Sequence, residues 1–255
     1  MTDSIPPEES LQPPPAAPRS EPILNIPGAL VLVIVLMAGL FVAQAYLLSE
    51  ALSRWIDFEF GFIPARYVYP LFEGDYSWVW SPLSYSFLHG SVEHLVFNCL
   101  WLACFGTPVV SRIGTRRSVV FWIASAVAAA AVFAAIHWGE VQLVIGASGV
   151  ISAFMGAACR FAFPPRSKVF SRRPVFAYPL LGVGEVLASR TAVSFLLVWL
   201  AGNVLVAVGL PIVGDASAAV AWEAHIGGLL FGFFAFPLFD RQPVPPGEGA
   251  AVNDG

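Results

Sequence analysis

The sequence predicts an all-α polytopic membrane protein, and three observations carry that prediction. Hydrophobic residues make up 57% of the chain and charged residues 12%, with a mean hydropathy of +0.74, far outside the range of soluble globular domains. Apolar runs recur at residues 29–48, 92–110, 118–137, 143–163, 192–210 and 218–239. Each has about the length a helix needs to cross a hydrocarbon core of roughly 30 Å. Finally, lysine and arginine segregate. With the N-terminus inside, all of the 13 except Arg54 and Arg66 fall in the tails or in the loops on that side, as the positive-inside bias requires. Both termini are then cytoplasmic.

Taken in order, residues 1–25 are rich in Pro, Ser and Glu and lack the basic start of a signal peptide. They read as a disordered tail before an uncleaved first span. A long aromatic loop separates the first span from the second, whereas spans two to four and the last pair are joined by short loops. Residues 241–255 read as a second disordered tail, which leaves 26–240 as one membrane domain. The net charge of −4 says little about partners, because the charges sit in tails and loops; the implied medium is the lipid bilayer, and with no basic patch no nucleic acid is expected. Cys99, Cys104 and Cys159 all lie in apolar segments, where they read as small core residues with no disulfide or metal spacing. Neither a cofactor nor a metal is called for.

Within this scheme the fourth span runs inward and carries Ser148 about six residues from its outer end, roughly 9 Å deep at the helical rise. The sixth span also runs inward and places His225 about seven residues in, roughly 10 Å deep by the same rise. On the second span His94 and Asn98 stand four residues apart, on one helical face near that level. Three helices thus deliver Ser, His and an Asn/His pair to one layer.

Each signal has a structural reading beside the functional one. The stretch "GASG" at 146–149 suits close helix packing, and the small residues continue with Ser152 and Gly156. An ionisable His225 at depth is costly and points to function. His94 and Asn98 form either a site or an interhelical hydrogen-bond pair, and Asn203 on the fifth span reads as helix glue. His89, five residues before His94, projects to another face, so the two do not read as a metal site. His137 beside Trp138 fits an interfacial belt. Glu93 and Glu223 neighbour the histidines in sequence and therefore point away from them. The small residues Ala224, Gly228 and Gly232 on the sixth span, with Gly149, Ser152 and Gly156 on the fourth, allow the close approach that a Ser–His hydrogen bond of roughly 2.6 to 3.2 Å needs.

Together "GASG" with Ser148, "AHIGG" with His225, "HLVFN" with His94 and Asn98, and six spans with a long first loop resemble the rhomboid family of intramembrane serine proteases over 26–240. The resemblance implies a six-helix bundle in which Ser148 is the nucleophile and His225 the general base of a dyad without an acid. It implies that Asn98 and His94 complete an oxyanion hole with the Ser148 backbone N–H, and that Gly146 and Gly149 are the first and last glycines of the serine motif. It further implies cleavage of single-pass membrane proteins near the outer face of a bacterial inner membrane; the alternative is an inactive family member that binds transmembrane segments. Two departures stand out. The Trp-Arg pair many members carry in the first loop is replaced by Arg54-Trp55 and by "GFIPAR" ending at Arg66. The tyrosine that in some members stacks on the base is replaced by Ser152. Inverted repeats or midplane polar residues, which a transporter would show, are not visible.

Overall fold

The computed structural model describes residues 25–164, 174–207 and 221–240. The tails at 1–24 and 241–255, Arg166, Lys168, Arg172 and Arg173, and the ends assigned to the fifth and sixth spans at 208–210 and 218–220 lie outside the described residues. The described chain is mostly helical and, among those residues, contains no strand beyond one isolated bridge. Helix α1 (Gly28–Val42) continues through a wider turn to Leu47, and α2 (Glu50–Phe60) follows. After a short α3 (Ser81–Ser84) come α4 (Val92–Trp101), another wide turn at Leu102–Gly106, and α5 (Thr107–Ile136). The rest comprises α6 (Ser148–Cys159), α7 (Val183–Ala188), α8 (Arg190–Ala207) and α9 (Trp222–Ala235).

Two helical stretches, Gly28–Leu47 and Val92–Ile136, are long and apolar enough to cross a membrane, while Ser148–Cys159 and Arg190–Leu205 are shorter apolar helices. The second stretch is not straight. At Gly114 the backbone turns to φ 77°, ψ 162°, a conformation open to glycine and costly for any residue with a Cβ. That residue divides what the sequence reads as spans two and three.

The largest departure is at the fourth span. A helix is expected over 143–163, yet α6 begins at Ser148 and ends at Cys159. Residues just before it are extended: Phe62 and Val144 exchange both backbone hydrogen bonds at 2.9 Å, and Gly146 sits at φ 125°, outside any right-handed helix. Pairing with the first loop replaces the helical ladder here. The depth estimate for Ser148 therefore fails, because the preceding residues do not rise at 1.5 Å each. His225 likewise stands at the fourth residue of α9, not seven residues into a helix.

Helix α6 is the axis of the fold. Every residue from Gly149 to Cys159 is buried, as expected for a helix apolar all round and enclosed by others. Helices α5 and α9 flank it, and the aromatic rings of Phe121, Phe154 and Phe236 interlock beside it. Cys159 is buried there, but Cys104 is exposed, so the expectation that all three cysteines are core residues does not hold.

Candidate active site

Ser148 is the first residue of α6, so its hydroxyl sits where the early helical amides have no acceptor in their own helix. The aligned peptide dipoles favour negative charge at that end. From α9, His225 reaches across until its Nε2 lies 2.7 Å from Ser148 Oγ. Its other nitrogen, Nδ1, lies 2.7 Å from Oδ1 of Asn203 on α8. The Asn203 amide nitrogen donates to the Trp199 carbonyl at 2.9 Å. Ser152, one turn below Ser148, donates its hydroxyl to the Ser148 carbonyl at 2.8 Å.

Opposite Ser148, α4 supplies the other polar groups. Ser91 caps this helix by accepting from the His94 amide at 3.1 Å, which fixes the register of His94 and Asn98. A Cβ placed on Gly146 would lie 2.6 Å from His94 Nε2 and 3.8 Å from Asn98 Nδ2. The bare glycine therefore makes room for both nitrogens beside the serine. Asn98 is 5% exposed, yet its Nδ2 has no partner among the described residues. A buried donor without an acceptor is costly in a resting protein, and it is what a site for developing negative charge contains.

The rhomboid domain model matches residues 76–241. The chain belongs to the rhomboid family. Among curated relatives, the Rhomboid protease GlpG of Yersinia pseudotuberculosis is 28% identical over 169 residues, covering 64% of this chain and 49% of the relative. The protein of the same name from Pectobacterium atrosepticum is 26% identical over 200 residues, covering 78% and 58%. This chain spans about half the length of the first of these (49%). Family membership makes this rhomboid an integral membrane protein.

Close helix contact holds the rhomboid site together. A Cβ on Gly228 would collide with the Gly149 carbonyl, and one on Gly232 with the Ala153 carbonyl. Gly156 is in the same position against the Leu229 carbonyl. The small-residue faces therefore meet, as small residues allow where lipid offers no hydrophobic drive. On α6 the partner of Gly232 is Ala153, whereas Ser152 hydrogen-bonds within its own helix. Gly149 itself abuts Ala129, whose Cβ would be 2.8 Å from an added Cβ.

Two other expectations are corrected. The His89 ring does not face away from His94: the centroids are 5.0 Å apart, edge to face. His89 precedes the Ser91 cap, so the helical offset used to separate them does not apply to it. Burial and the neighbouring His94 push the His89 pKa down to about 4 although its Nδ1 faces the Phe87 carbonyl. Nor is His137 only an interfacial ring. Its Nδ1 meets Glu140 at 2.9 Å and its Nε2 meets Glu223 at 3.0 Å, tying the end of α5 to the start of α9. Glu223 thus points away from His225, as the sequence suggests.

The first loop is built around Arg66, which is buried. It pairs with Asp75 at 3.2 Å, donates to the Gly61 and Phe58 carbonyls at 3.1 and 2.6 Å, and lies 4.6 Å from the centre of the Phe58 ring. Burial raises the Asp75 pKa, but hydrogen bonds from Ser77 and Leu71 and the Arg66 charge lower it on balance. Asn203, read from the sequence as helix glue, does bond from α8 to α9, and what the sequence did not give is that its partner is His225. The signal was present, as an amide in an apolar helix, but which way it faces depends on the rotation of α8.

Proposed function

We propose that this rhomboid is an intramembrane serine endopeptidase whose nucleophile is Ser148 and whose general base is His225. The observation that carries the reading is the 2.7 Å contact from Ser148 Oγ to His225 Nε2 at a helix N-terminus, beside the unpartnered Asn98 amide. In this mechanism neutral His225 takes the Ser148 proton as Oγ adds to a peptide carbonyl. The resulting oxyanion is bound by Asn98 Nδ2, His94 and the Ser148 backbone N–H, with Gly146 and Gly149 shaping the backbone around it. Collapse expels the amine, protonated by His225, and leaves an acyl-serine. Water, deprotonated by the same histidine, then releases the acid.

The substrates are single-pass membrane proteins whose helix unwinds near its outer end. The chain crosses the bilayer six times over 26–240 with both termini cytoplasmic, in the inner membrane of a bacterium. The segregation of lysine and arginine supports that orientation. A rhomboid that binds transmembrane segments without cutting them would need neither a Ser–His contact nor an unpartnered donor beside it. The purified protein should react with a fluorophosphonate probe at Ser148, and the Ser148→Ala variant should not. Failure of the folded wild type to label would overturn the protease reading.

A further inference from the structure

We propose that Asn203 is the positioning residue of this site: it fixes the proton of His225 on Nδ1 and so presents the Nε2 lone pair to Ser148. The proposal rests on the protease reading above. Three observations lead to it.

The first is where Asn203 sits. Helix α8 exposes Leu197, Val198, Leu200, Val204 and Leu205, while Asn203 is 9% exposed. Between Val193 and Leu205 the asparagine is the buried residue, so the face that α8 turns to its neighbours carries an amide where an apolar residue would pack without cost. A polar side chain is retained on such a face when it has a specific partner.

The second is the direction of the hydrogen bonds. A carbonyl only accepts, so the group facing Trp199 O at 2.9 Å must be the amide NH₂. That sets the amide orientation and leaves Oδ1, an acceptor, facing His225 Nδ1 at 2.7 Å. Nδ1 must then be the protonated nitrogen of the neutral ring, and Nε2 must carry the lone pair directed at Ser148 Oγ, 2.7 Å away. One backbone carbonyl on α8 fixes the polarity of the whole chain of bonds, through Asn203 and His225 to the serine proton.

The third is that, among the described residues, no other group takes this place at Nδ1. Ser152, which occupies the place one turn below the nucleophile, turns its hydroxyl to the Ser148 carbonyl. Glu223 turns to His137. A neutral amide also suits the location, because an ionised carboxylate at that depth would carry a large desolvation penalty. The general role of a third group that sets the tautomer and aim of a catalytic histidine is thus filled here by an uncharged acceptor.

The test separates positioning from mere helix glue. Asn203→Leu keeps the shape and removes the acceptor; it should lower kcat on the order of 10- to 10²-fold with KM nearly unchanged, since Asn203 touches the base and not the substrate. Asn203→Asp, which retains an acceptor toward Nδ1 whether ionised or protonated, should recover most of that loss. In wild-type protein labelled with ¹⁵N-histidine, His225, assigned with His225→Gln, should show a pyrrole-type Nδ1 and a pyridine-type Nε2. In Asn203→Leu the two signals should move toward each other as the tautomers mix. A folded Asn203→Leu variant with wild-type kcat and fluorophosphonate labelling rate would overturn the proposal while leaving the protease reading intact. So would a protonated Nε2 in the wild type, a readout that needs no variant of Asn203 to fold. Loss of labelling in the wild type itself would instead defeat the protease reading.

Discussion

The two ends of the bundle treat their polar groups in opposite ways. At the end carrying Arg112 and Arg160, each guanidinium is held in place by acceptors from several elements. Arg112 pairs with Asp240 at 2.7 Å, donates to the Phe176 and Tyr178 carbonyls at 3.0 and 2.5 Å, and lies 4.6 Å from the centre of the Phe161 ring. Arg160 donates to the Leu181 and Phe233 carbonyls at 2.9 and 2.6 Å. At the Ser148 end the hydrogen bonds form a directed chain from Trp199 to the serine, and beside it the Asn98 amide is left without a partner. A network of this kind joins elements, because breaking any member strands the others. A directed chain next to an unpaired donor retains capacity for a group that is not part of the protein.

Variants can break this contrast, beginning with the most severe. Ser148→Ala and His225→Ala should each abolish cleavage of a membrane-anchored substrate, a loss on the order of 10⁶-fold in kcat, because nucleophile and base act as one unit. Circular dichroism should show both proteins folded; appreciable turnover by folded Ser148→Ala would sink the assignment of the nucleophile. Asn98→Ala should cost roughly 10²- to 10³-fold in kcat and, since it removes an unpaired buried donor, should not lower the melting temperature. A sharp fall in melting temperature with unchanged specific activity would instead make Asn98 structural.

Gly228→Val tests whether helix contact sets the distance from base to nucleophile. The added Cβ meets the Gly149 carbonyl, so α9 must move relative to α6, and a displacement of about 1 Å costs on the order of 10²-fold in rate. Leu230→Val, at a position 49% exposed, should change neither activity nor stability measurably. Equal fluorophosphonate labelling of Gly228→Val and wild type would show that the glycine contact does not govern the site. At the opposite end, Arg112→Met should remove the buried guanidinium that bonds Asp240 and the Phe176 and Tyr178 carbonyls and destabilise the fold by about 3–5 kcal/mol, while the specific activity of the folded protein stays at the wild-type level. Lost activity in the folded fraction would mean the two ends are not separable in function.

Much of this was written in the sequence, because some signals are local or compositional. Hydropathy marks the apolar helices, and residue type at fixed spacing marks Ser148, His225, His94 and Asn98 as candidates. The relation of His94 to Asn98 could be read from their four-residue step alone, since a helix fixes the relation of its own residues. The small-residue stripes were legible for the same reason.

What tertiary structure decided is whatever depends on how one element is rotated or displaced against another. Residues 143–147 look as apolar as any span, yet pairing of Val144 with Phe62, 82 positions away in the chain, draws them out of the helix and leaves Ser148 at its first turn. His89 comes to His94 because it lies outside the helix whose geometry would have separated them. Asn203 carries the same residue type whether it joins helices at random or aims a histidine; only the rotation of α8 about its axis turns its oxygen to Nδ1. Hydrophobic periodicity constrains which face of a helix is buried, but in a membrane both lipid and protein are apolar, so composition alone cannot fix that rotation. The hydrogen bond, which is directional, does.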